Sequence, residues 1–258
     1  MKLFTQDDCQ TQLTVNAPSF VTLLAEVLTS VGWPSVELTG SVLNATNVHG
    51  KRIKVSDLNG VSALVGYHNE TDTRGFPSIN QMPNITAQQG VGIFRSPLNP
   101  SWKLFASDSS FFFHHSNKLS GFGYFTPLFD DDEVFFVLGA ETVLNTTQTL
   151  LVTNPTLLST VLCLEGNGIG LSLSKLAGAR VFYPIDDYDF KQYATSTLVA
   201  TSPIAIHHSD TKSLRGFLAD VLAFSSSFTT EGEIFSMGGY TIYCIVVDNR
   251  CLGIRLDG

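Results

Sequence analysis

The feature that most constrains this chain is its punctuation. Short runs rich in Val, Ile, Thr, Phe and Tyr follow one another, each cut by Gly, Asn, Asp or Pro. Residues 52–56, 61–67, 102–106, 111–115 and 134–138 therefore read as strands of a meander, because branched and aromatic side chains suit a pleated surface and the breakers suit turns. Past Asn145 the pattern resumes at 149–153, 160–164, 168–173, 179–183, 197–201 and 204–207. The last two runs, 239–247 and 251–256, flank Asp248-Asn249, a hairpin signal. No fixed repeat period is present, which argues against solenoids and propellers.

One stretch breaks this rhythm clearly. From Ser19, the apolar residues Phe20, Leu24, Val27 and Val31 recur at helical spacing, and Leu23 and Leu28 widen the stripe. Pro18 precedes the stretch and Gly32 follows it, the usual order of start and stop signals. A helix covering one face of a sheet is expected there. Leu214, Phe217, Leu218, Val221 and Leu222 also fit a helix template, yet they lie inside β-rich sequence. Residues 213–224 are left open between helix and loop.

A chain of 258 residues, 43% hydrophobic with 19 Phe, has material for a sizeable core and a length that favours two domains. The Thr-rich stretch at 145–148 marks the division. The fold class expected is α+β or mainly β. Residues 1–145 form an α+β domain with one helix on a mixed or antiparallel sheet, and residues 146–258 an all-β barrel-like or sandwich domain.

Charge narrows the partners. The formal net charge is −8, from 15 basic and 23 acidic residues, and the basic ones are scattered, so a phosphate-binding footprint is missing and nucleic acid is not an expected partner. Charged residues make up only 15% of the chain, against about 25% in ordinary domains. A surface of uncharged polar and apolar groups suits permanent assembly contacts, since burying such groups costs less than burying ions. Asp7, Asp8 and Gln10 interrupt the apolar run an export signal would need. No run reaches the roughly 18–20 apolar residues of a membrane helix, so no membrane partner is expected and a soluble, cytosolically made protein is.

Cys9, Cys163, Cys244 and Cys251 lack C-x-x-C spacing. Cys244 and Cys251 could meet across a hairpin, but a reducing cytosol argues against a disulfide. Without an export signal the glycan-acceptor strings at Asn44, Asn69, Asn84 and Asn145 read as turn and edge residues.

Motifs that carry chemistry are wanting. The Gly166–Gly170 stretch lies between strand-like runs, with no following helix to hold a phosphate, and reads as a turn. The pairs His114-His115 and His207-His208 are adjacent, so on strands they point to opposite faces and cannot easily share one metal. The acidic runs Asp130-Asp131-Asp132-Glu133 and Asp186-Asp187-Tyr188-Asp189 lack the Gly of a calcium loop and read as solvated loops. No G-x-S-x-G is present, and Cys163 sits in an apolar run as a buried thiol would. The expectation is a non-enzyme with no catalytic, cofactor-binding or metal-binding residues. A cell-wall hydrolase would need two carboxylates in a cleft, with Asp131 and Asp187 the ones to test.

Read in order, several phrases resemble a family of tailed-phage virion structural proteins of phages and prophages of Gram-negative hosts. The helix running into Val31-Gly32-Trp33-Pro34 is similar to that family's opening. Lys51-Arg52-Ile53-Lys54-Val55-Ser56-Asp57, then Ala63-Leu64-Val65-Gly66-Tyr67-His68 and Thr71-Asp72-Thr73-Arg74-Gly75-Phe76-Pro77, resemble its central stretch. Ser101-Trp102-Lys103-Leu104-Phe105-Ala106-Ser107-Asp108 and Phe111-Phe112-Phe113 look like its Trp strand and aromatic strand. Leu214-Arg215-Gly216-Phe217-Leu218 is similar to a late Arg-Gly element, though Ala219-Asp220 stands where Pro-Gly is expected. The resemblance spans about Val31 to Phe217. It implies a virion structural role without catalysis, in which copies of the chain pack on one another and on other virion structural proteins.

The expected place is the tail, neck or baseplate of a particle assembled in the bacterial cytoplasm, with capsid decoration as the alternative. A further alternative is binding of a host receptor or glycan, for which only Trp33 and Trp102 could stack on sugars, and both read as buried.

Overall fold

The computed structural model describes residues 1–13, 20–58, 61–69, 90–92, 101–115, 118–127, 134–138, 141–146, 149–153, 161–163, 179–182, 201–208, 214–224, 230–247 and 250–257. These form one α-helix and nineteen strands, so the expected α+β, mainly β class holds.

In chain order the first elements are β1 (Lys2–Phe4), α1 (Phe20–Ser30), β2 (Ser35–Thr39), β3 (Val42–Thr46), β4 (Lys51–Leu58), β5 (Val61–Asn69) and β6 (Gly90–Gly92). The middle holds β7 (Lys103–Ala106), β8 (Phe111–His115), β9 (Lys118–Pro127), β10 (Val134–Leu138), β11 (Glu141–Thr146), β12 (Thr149–Thr153) and β13 (Val161–Cys163). Then come β14 (Ala179–Phe182), β15 (Thr201–His208), β16 (Leu214–Phe224), β17 (Ile234–Met237), β18 (Tyr240–Val247) and β19 (Arg250–Leu256). The expected runs at 168–173 and 197–200, the Gly166–Gly170 turn, both acidic runs and the 248–249 turn lie outside the described residues.

Two antiparallel sheets result. The smaller runs β12-β11-β6-β5-β4-β3-β2, and the larger follows β1-β7-β8-β9-β16-β19-β18-β17 with β10, β13, β14 and β15 branching from it. The boundary expected at 145/146 falls within the β11–β12 hairpin, where Asn145 opposes Leu150. The larger sheet also draws strands from both sides of that point, since Phe217 of β16 pairs with Thr126 of β9.

Residues 214–224 are neither helix nor loop but strand β16, paired with β9, β15 and β19. Tertiary pairing overrides local period here, because partners flank this segment on both sides and a helix would leave their ladder groups open. The register slips between Pro203 and Ala205 of β15, which lets an irregular apolar spacing fit a strand.

The helix covers a sheet as expected, and a second sheet packs on its other side, with Phe20, Val21, Leu23, Leu24, Ala25, Val27 and Leu28 buried. Leu43, Ala45, Ile53 and Val55 of the smaller sheet and Trp102, Leu104, Phe111, Phe113 and Phe122 around the larger one belong to the same core. A helix apolar nearly all round needs cover on both sides. Its one charged residue, Glu26, accepts the backbone N–H groups of Gln10 and Thr11 at 2.7 and 2.8 Å. The C-terminus closes as the sequence suggests: Trp33 N–H reaches Leu28 C=O and Gly32 N–H reaches Thr29 C=O, with Gly32 at φ 90°. That turn needs a left-handed residue, which glycine supplies without a Cβ clash.

Around this core the rings interlock. Phe20 meets Phe113 at 4.7 Å and Trp33 meets Phe122 edge-on at 6.1 Å. Both indoles are buried and donate, Trp33 to Ser107 C=O and Trp102 to Gln6 Oε1. The expectation that neither Trp is exposed therefore holds.

Candidate functional site

Alternation along β7 and β8 sends neighbouring side chains to opposite faces. Leu104, Ala106, Phe111 and Phe113 face α1, so Lys103, Phe105, Phe112 and His114 face the other way, toward β18 and the turn before β17. There Phe105 packs on Tyr243 with ring centres 5.6 Å apart. Beside that contact His114 Nε2 lies 2.9 Å from Val246 C=O, and Lys103 Nζ donates to Glu231 Oε1 at 2.6 Å. The second imidazole nitrogen, Nδ1, is buried without a hydrogen-bond partner and stands 3.9 Å from the same Glu231 oxygen. Burial holds the His114 pKa below its usual value, with the Lys103 ammonium acting in the same direction and the Val246 carbonyl and Glu231 opposing. Its neighbour His115 turns to the helix side and stacks on Phe113, so the adjacent pair does split between faces as expected.

A second polar place forms where β16 parts from β19. Val221 is the last residue of β16 paired with β19, opposite Ile254. Past that point β19 takes Met1 instead: the Met1 ammonium donates to Arg255 C=O at 3.2 Å, and Asp257 N–H donates to Met1 C=O at 2.9 Å. β1, β7, β8, β9 and β16 thus form a loop of strands whose two ends lie against β19. Asp220 sits at the fork. Burial pushes its carboxyl up, against the Met1 ammonium and Arg255, while Asp257 adds to the rise and a Ser110 hydrogen bond opposes it.

Met1, Lys2, Ser107, Asp108, Ser109, Asp220 and Asp257 line a pocket of about 390 Å³ at this fork, with Val31 and Ala106 at its apolar side. The serines are spoken for: Ser107 N–H and C=O engage Ser110 and Trp33, and Ser109 C=O accepts Asn47 Nδ2. The fork therefore ties the β7–β8 turn to the β3–β4 turn across the two sheets. In the sequence Asp220 stands out only as a departure from an expected Pro-Gly, yet a lone carboxylate inside Phe217-Leu218-Ala219-Asp220-Val221-Leu222 is itself a signal of a polar site.

Among the described residues, no three His, Cys, Asp or Glu side chains are placed to hold a metal ion. Residues His207 and His208 fall on β15, and Cys163 on β13. Cys9 is a free, buried thiol pushed up to about 11 by burial, with Glu26 and Asp8 adding to the rise. A thiol so held is protonated near neutrality and a poor nucleophile.

The expectation of reduced cysteines is overturned at one pair, because Cys244 and Cys251 are joined by a disulfide. The register explains their meeting. Cys244 opposes Gly253 and Cys251 opposes Val246, so the two are diagonal neighbours on one face of the β18–β19 ladder, with Cα atoms 6.5 Å apart. Both are buried with Leu222 and Ile242, Phe235 packing against them.

The sheet ends are a third feature. Among the described strands, β2, β12, β13, β14 and β17 each have a partner strand on one side only. Of the large exposed apolar residues, Leu38 at 40% lies on β2, Ile234 at 62% on β17 and Tyr240 at 51% at the start of β18. Val48, at 46%, belongs to the β3–β4 turn. Arg255 lies 4.5 Å over the Tyr240 ring.

Compared with known proteins, the chain matches no family model, and no curated protein matches its sequence.

Proposed function

We propose that this chain is a non-enzymatic structural subunit of a tailed-phage virion, built as repeated copies into the tail, neck or baseplate. One observation carries the assembly part of that reading: Leu38 and Ile234 sit exposed on the sheet-end strands β2 and β17. Monomers usually blunt such edges with charge, proline or a covering loop, because open ladder groups beside apolar side chains recruit another strand. Tyr240, with the Arg255 guanidinium over its ring, is the kind of aromatic and Arg pair in which interface energy concentrates. The low charge of the chain supports the same reading, and the phage setting comes from the phrase resemblance.

The test has two arms. Light scattering on the purified protein is expected to find an oligomer that Ile234→Lys reduces to monomer without loss of fold. Mass spectrometry of purified virions is expected to detect the chain. A wild-type monomer at high concentration overturns the assembly reading, and virions lacking the chain overturn the virion reading.

A further inference from the structure

Three polar groups bridge the two layers that meet over Phe105. Lys103 comes from β7, His114 from β8 and Glu231 from the turn before β17, and β18 contributes the Val246 carbonyl. In the neutral imidazole Nε2 carries the proton for Val246, which leaves the Nδ1 lone pair buried and aimed toward a carboxylate. That carboxylate is already held by Lys103 at 2.6 Å. A proton added at Nδ1 would create a second cation beside the Lys103 ammonium, in a place where the His114 side chain is 3% exposed.

We propose that His114 makes the contact between the β7–β8 face and the β17–β19 layer an acid-labile joint, intact while the imidazole is neutral and weakened when it takes a proton. The inference does not depend on a virion role, since it concerns one contact within one chain.

The direction follows from linkage. Burial and the Lys103 charge hold the folded-state pKa of His114 below the usual value of 6.5. Between those two values the unfolded or opened form binds more protons than the closed form, so acid favours opening. Stability from this group is fully present above about pH 6.5 and is lost as pH falls toward the folded value. The charged groups that set the shift are Lys103, which opposes protonation, and Glu231, which favours it.

The experiment is hydrogen exchange on the whole protein at pH 7.5 and 5.5, corrected for intrinsic rates, together with NMR titration of the imidazole. Amides of β17 and β18 are expected to lose protection several-fold at the lower pH in the wild type. In His114→Gln, whose amide can still donate to Val246 C=O but cannot ionise, their protection is expected to be the same at both values. Glu231→Gln is expected to move the His114 titration to lower pH and Lys103→Met to move it higher. A merely packed histidine would not give opposite shifts. The proposal is overturned if the imidazole titrates at or above its ordinary value, or if β17 and β18 lose protection equally in wild type and His114→Gln. Should His114→Gln not fold, the two charge variants and the wild-type titration decide alone.

Discussion

On one side of β7, β8 and β9, α1 closes the core with Phe20, Leu24 and Trp33 against Phe111, Phe113 and Phe122; on the other, the β17–β19 layer adds to the Phe105–Tyr243 pair and the buried Ile245, Leu252 and Ile254 an imidazole and an ion pair. Both coverings leave little water against the sheet, yet they answer to different conditions. Apolar burial varies little with pH or redox state, whereas a buried imidazole follows pH and a disulfide follows the reductant. The helix side thus rests mainly on apolar packing, while the hairpin side adds to its own apolar packing a buried imidazole and a disulfide that answer to conditions.

The largest effect is expected where both coverings share a floor. A Cβ on Gly121 of β9 would lie 2.1 Å from Phe111 C=O and 2.8 Å from Phe112 Cα, backbone atoms that cannot swing aside. Gly121→Ala is therefore expected to leave little folded protein, read as loss of soluble expression and of a cooperative melt. A well-folded Gly121→Ala would mean that the sheet is not as close-packed as described.

Next comes the helix side alone. Phe113→Ala removes a ring packed on Phe20 and Trp102. A loss of about 3–5 kcal/mol in urea unfolding is expected, from transfer and cavity terms together, and the loss should be equal at pH 7.5 and 5.5. A strongly pH-dependent loss would erase the contrast between the faces.

The smallest of the three concerns the hairpin side. Closing so short a loop contributes about 2 kcal/mol by chain entropy, so Cys244→Ala with Cys251→Ala should lower stability by that order. Adding reductant to the wild type should do the same, while leaving the double variant unmoved. Exchange protection should fall in β18 and β19 and hold in α1. Equal losses in both regions would show that the two coverings unfold as one unit and sharpen the comparison into a single cooperative core.

Much of the element pattern was legible. Trp102 to Ala106, Phe111 to His115 and the β18–β19 pair were readable because local composition and turn residues agree with tertiary structure there, and Gly32 marked the helix end by backbone chemistry alone. Residues 214–224 misled because the apolar spacing is set by partners on two flanks rather than by the strand's own period. The helix was legible too, although counting an apolar stripe does not reveal whether one sheet or two will cover it. The candidate sites were harder still. Lys103 and His114 are cross-strand partners in the β7–β8 pair, but Glu231 lies far along the chain and meets them only through the stacking of two layers, and Asp220 acquires its environment from Met1 and Arg255 at opposite ends. The disulfide follows from the diagonal register of β18 and β19, a geometric cause that a compartment argument does not contain.

The routing of the larger sheet also governs how the chain reaches this state. β1 finds its partner more than a hundred positions later in β7, and β9 waits for β16 some ninety positions on. Pairings so distant must meet the entropy of closing long loops before any ladder rewards them, which places folding in the slow, millisecond-to-second regime of non-local β topologies. During synthesis the aromatic strand β8 emerges long before β18 exists to cover it, so the nascent chain has a period in which a chaperone, or a premature neighbour, competes for that face.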